Sequence, residues 1–96
     1  MSLLQAMNRE LLEHRLRQAF DGEEGEYRVV VRMAGDLSDS GRYRRDTDHP
    51  LSPQRVVSHL QDAPGGTVAD RWNWWMGALD SAFGGYSSFH VVAWDD

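Results

Sequence analysis

Ninety-six residues, 41% apolar, 26% charged and 10% aromatic, have the size and make-up of one globular domain rather than a disordered chain. The absence of cysteine excludes disulfides, thiolate zinc sites, iron–sulfur clusters and cysteine nucleophiles. No apolar run approaches the roughly 20 residues of a membrane span, residues 1–20 are too polar for a secretory leader, and a cytoplasmic location is expected. All ten basic residues are arginine, against fifteen acids and a net charge of −5, which excludes lysine chemistry. This points to a GC-rich or halophilic source. An acidic chain also lacks the basic field that nucleic acid or an anionic membrane requires, and suits a basic protein surface better.

Residues 2–20 are rich in helix formers and carry two apolar i,i+4 rows, Leu3, Met7, Leu11 and Leu12, Leu16, Phe20. Two rows give a wide apolar arc, so this helix either lies between elements of its own domain or offers one row to a homodimer. Residues 21–26 (DGEEGE) read as an acidic turn. Residues 27–34 alternate, with Tyr27, Val29, Val31 and Met33 opposite Arg28, Val30 and Arg32, the pattern of a half-buried strand. Residues 35–51 lack apolar periodicity and read as a long loop, within which residues 41–47 offer a short extra strand.

Ser52 before Pro53 marks a helix start, with Val56, Val57, Leu60 and Ala63 inward and Pro64-Gly65-Gly66 as its end. Thr67 and Asp70 form a capping box for a third helix, whose stripe is Val68, Trp72, Trp75, Met76, Leu79 and Phe83, stopped by Gly84-Gly85. Residues 87–94 (SSFHVVAW) read as a closing strand. The expected architecture is α+β, a small two-layer domain of order α-β-(β)-α-α-β with helices on one face of two or three strands.

Catalytic constellations are weak. Asp46, Asp48 and His49 set acid and imidazole ligands close together, with Asp36 and Asp39 earlier in the same loop, and suit a small metal-dependent hydrolase, but they match neither the EF-hand spacing nor a complete zinc set. Ser87 and Ser88 lack a nucleophile elbow, and His14, His49, His59 and His90 are scattered. The sequence implies no cofactor and no enzyme.

Binding features are clearer. Arg42, Tyr43, Arg44 and Arg45 form the one basic cluster, able to grip phosphates with a stacking tyrosine or to anchor a protein interface. Trp74 projects from the polar side of its helix, beside Asp70, Gly77 and Ser81, where an aromatic serves binding better than solubility. Asp21, Glu23, Glu24 and Glu26 precede the first expected strand, while Asp95, Asp96 and the terminal carboxylate follow the last. Antiparallel pairing of those strands would merge them into an acidic steering patch. The functional expectation is a non-enzymatic, acidic protein-binding module. Its most concrete form is an inhibitor, immunity or antitoxin-type protein, of the kind phages and plasmids encode, that covers a basic surface on a nucleic-acid-handling machine. Nucleic-acid binding through residues 42–45 and the hydrolase are the alternatives.

Overall fold

The computed structural model describes residues 7–92. Among these the chain is helical throughout, with no strand: α1 (Arg9–Ala19), α2 (Glu24–Ser40), α3 (Arg42–Thr47), α4 (Pro53–Gln61), α5 (Val68–Phe83) and a 3₁₀ turn (Ser87–Phe89). Helix α1 packs on α2 and α4, and α5 packs on the same two, so four helices close into a ring; α3 leans on α2 and the 3₁₀ turn on α5. The core between them holds Leu12 and Leu16 of α1, Val30, Ala34 and Leu37 of α2, Val56 and Leu60 of α4, and Val68, Trp72 and Met76 of α5. The α+β expectation is therefore wrong, and the two segments responsible fail for different reasons.

The first expected strand is the middle of α2. Over residues 27–34 the valine-rich run satisfies a period of two, yet Tyr27, Val30, Val31, Ala34 and Leu37 also recur at helical spacing, and all five are buried. What decides the choice lies upstream. Residues 21–26 are not merely a turn, because Glu23 and Glu26 form a reciprocal capping box that starts the helix. Gly35, mid-helix, admits the Arg9 side chain from α1, which occupies the space a Cβ would need and reaches on to Asp39 (3.0 Å). Helix α2 then runs to Ser40, and the left-handed Gly41 (φ 74°) breaks it and launches α3. The expected loop over residues 35–51 is thus mostly helix, and its optional strand is α3.

Over residues 87–92, the described part of it, the closing strand is absent as well. Residues 87–89 form the 3₁₀ turn, and beyond it the backbone pairs with side chains of α5 rather than with another strand. Residues 93–96 lie outside the described part. The starts of α4 and α5 are as the sequence indicates: the Ser52 hydroxyl accepts from the Arg55 N–H, and Thr67 and Asp70 close their capping box.

The N-terminus of α5 accounts for each of its first three amides. The Val68 N–H donates to the Asp21 carbonyl (2.8 Å), the Ala69 N–H to Glu26 (3.3 Å) and the Asp70 N–H to the Thr67 hydroxyl (3.5 Å). Glu26 also accepts from the Glu23 N–H (2.9 Å), so one carboxylate joins the N-termini of α2 and α5. At 2% exposure Glu26 is buried, and it is stabilised there by two positive helix ends.

Candidate functional site

Helix α5 carries the tetrapeptide Trp72-Asn73-Trp74-Trp75, whose side chains step about 100° apiece around the axis and so meet four different surroundings. Trp72 is fully buried, edge-on to Trp75 at 5.6 Å, and its indole N–H donates to the Phe89 carbonyl (2.8 Å). Asn73 uses both ends of its amide on one residue: Nδ2–H donates to the Val91 carbonyl (2.8 Å), and Oδ1 accepts the Val91 N–H (2.7 Å). Trp75 is buried under the His59 imidazole, stacked at 4.6 Å and 10°, with Tyr43 edge-on at 5.7 Å. Burial of His59 against that indole holds its pKa below the ordinary histidine value, with Arg55 adding to the effect and Asp62 opposing it.

Trp74 differs from its three neighbours. It is 42% exposed, on a face shared with exposed Asp70, Ala78 and Ser81. Gly77, one turn further on, is helical, and a Cβ there would touch nothing. Helix interiors disfavour glycine by about 1 kcal/mol relative to alanine, so packing within the domain does not account for Gly77. The remaining exposed large apolar side chains among the described residues are Leu11, Phe83 and Val92. Phe83, read from the sequence as part of the core stripe, is 48% exposed at the end of α5.

The basic cluster is taken apart by α3. Tyr43 turns inward onto Trp75 and is 2% exposed, so it packs the core and has no face for stacking a base. Arg42 lies over the Tyr86 ring (5.8 Å) and against Gly85, while Arg45 pairs with Asp46 (3.1 Å). Arg44 remains exposed. Asp46 accepts from the buried Tyr86 hydroxyl (2.8 Å), which with Arg45 holds its carboxyl below the usual range. The Tyr86 phenol is pushed upward by burial and by that carboxylate. Asp46 is thereby a structural acceptor, and Asp48 and His49 are exposed beside it. Among the described residues no three His, Asp or Glu side chains converge as metal ligands.

The acidic patch loses its basis with the strands that were to assemble it. Glu26 is buried as a double cap, and Glu23 is the N-cap of α2. Glu24 joins Glu13 in gripping Arg17, which lowers the Glu24 pKa and raises that of Arg17. Asp95 and Asp96 lie outside the described residues. Sequence reasoning also missed Asn73: a polar residue between tryptophans on a helix reads as solvated, and only the returning chain end reveals its partner.

A ring of helices that, among the described residues, leaves one tryptophan exposed defines a small helical domain, and similarity to known families places it further. The WNWW domain family matches residues 2–80, and the chain belongs to that family. The tetrapeptide at 72–75 spells the family's description. No curated protein and no solved structure matches the chain.

Proposed function

We propose that this domain works by binding another protein, with Trp74 at the centre of the contact. The observation that carries the reading is the division of labour in the tetrapeptide. Trp72, Asn73 and Trp75 are consumed by the fold, and Trp74 is left 42% exposed beside Gly77 and small side chains that let a partner's surface come close. Tryptophan in such a setting is the residue type most enriched among interface hot spots. The net charge of −5 favours a basic partner through long-range steering, and inhibition of a nucleic-acid-handling machine is the concrete form of the proposal. Direct nucleic-acid binding is less well supported, because Tyr43 is buried and Arg45 is paired. The test is affinity capture from nuclease-treated lysate of the source organism with wild-type and Trp74→Ala protein. Loss of a stoichiometric protein by a variant that keeps its thermal transition supports the proposal. Equal capture by both, or unfolding of the variant, refutes it.

A further inference from the structure

Aromatic rings in this molecule are partnered. Arg17 lies over Tyr27 (4.8 Å), Arg42 over Tyr86 (5.8 Å) and Arg71 over Phe20 (5.1 Å). Phe83 and Phe89 flank Tyr86 at 6.4 and 6.3 Å, and Tyr43, His59 and Trp72 surround Trp75. Among the described residues Trp74 is the one aromatic side chain with neither a ring nor a guanidinium against it, although it is 42% exposed. Its indole N–H likewise meets no acceptor among them, whereas that of Trp72 is bound to the Phe89 carbonyl. The basic residue nearest to it along the helix, Arg71, is committed elsewhere: besides covering Phe20, its guanidinium donates to the Gly66 and Leu60 carbonyls, each at 3.0 Å.

The surroundings of Trp74 name the chemistry of the missing partner. Asp70 lies one turn before it on the same face of α5, a spacing that sets Cβ atoms about 5–6 Å apart, and long helical side chains lean back over that preceding turn. Asp70 is exposed. Its Oδ2 closes the capping box with Thr67, and its Oδ1 has no partner among the described residues. On the other side, Gly77 sets no Cβ beside the indole. An open indole next to an unused carboxylate oxygen suits a group that is flat, cationic and rich in donors. A guanidinium is all three: it stacks on an aromatic face at less cost in dehydration than an ammonium, and its fork donates to a carboxylate. Resting on the reading of Trp74 as a protein contact, the geometry points to an arginine-recognition site formed by Trp74 and Asp70, which takes one arginine side chain of a basic partner. The arginine–aromatic pairs inside the molecule are the same contact made within one chain, and the net charge of −5 draws such a partner in.

The probes are the end-blocked peptide Gly-Ser-Arg-Ser-Gly and its counterparts with lysine or neutral citrulline at the centre. Each is titrated at constant ionic strength into the isotope-labelled full chain, with every indole and backbone N–H followed by NMR. The Trp74 indole signal, identified by its loss in Trp74→Phe, should shift saturably with the arginine peptide. The lysine and citrulline peptides should bind about fivefold more weakly, the worth of an exposed cation–π contact. Asp70→Gln keeps an acceptor for the capping box while removing the charge, and should weaken the arginine peptide about threefold. Trp74→Leu keeps apolar bulk without a π face and should abolish the response, read at the Gly77 and Ala78 amides. No saturation, a shift centred on another indole, equal affinity for either control peptide, or undiminished binding by Trp74→Leu or by folded Asp70→Gln overturns the assignment. Affinity capture separates this outcome from the protein-binding reading itself. A partner lost with Trp74→Ala but kept by Trp74→Leu shows an apolar contact and overturns the arginine site alone. A partner kept by both variants overturns the two together.

Discussion

Glu26 provides the most exacting test of how this fold is held together. Its carboxylate accepts one N–H from the start of α2 and another from the start of α5, and it is 2% exposed. Each hydrogen bond to a charged acceptor is worth about 1.5–3 kcal/mol, and a helix N-terminus adds about 0.3–1 kcal/mol. The Ala69 contact, at 3.3 Å, belongs at the weak end. Glu26→Ala should therefore cost about 3–5 kcal/mol, a large share of the 5–15 kcal/mol that such domains possess. Glu26→Gln is the sharper variant. Both carboxylate oxygens face N–H donors, so an amide satisfies one and turns its own NH₂ against the other; the loss should be about 2–4 kcal/mol despite the conserved shape. In urea, with a slope of about 1.5 kcal/mol/M, a loss of about 3 kcal/mol moves the midpoint down by about 2 M. A Gln variant within about 0.5 kcal/mol of wild type would show that the two helix ends do not depend on this charge, and the argument for Glu26 as their joint would fail.

Two further outcomes follow from the same structure. Gly77→Ala should raise stability by about 0.5–1 kcal/mol, since a Cβ there meets nothing, and should weaken capture of the Trp74-dependent partner; unchanged capture would remove Gly77 from the proposed contact. His59 is held neutral by burial, so the unfolded chain takes up its proton first as the pH falls. Its stabilising contribution is complete above the unfolded value of about 6.5 and is lost as the pH drops below that towards the depressed folded value. Melting temperatures compared between pH 8 and pH 5 should fall more steeply for wild type than for His59→Phe, which keeps the stack on Trp75 without the titration. Parallel profiles would refute the role given to His59.

Local chemistry made α4 and α5 legible from the sequence. Ser52 with Pro53 and Thr67 with Asp70 satisfy helix-end amides with residues within four positions, and the spacing of Val68, Trp72, Trp75 and Met76 repeats long enough to exclude a strand. The exposure of Trp74 followed from the same spacing. Helix α2 was not legible over residues 27–34, because eight residues fit both periods, and the capping box that settles the matter is built from glutamates that equally suit a turn. Three placements belong to tertiary structure alone. Glu26 is buried because α5 brings a second helix end to it, 43 residues away in sequence; Tyr43 is inside because α3 turns it onto Trp75; and the Phe89 carbonyl and the Val91 N–H and carbonyl need no strand partner because Trp72 and Asn73 bond them. Sequence determines which groups must be buried or hydrogen-bonded. The partners that satisfy them, when they come from distant segments, exist only once the helices have packed.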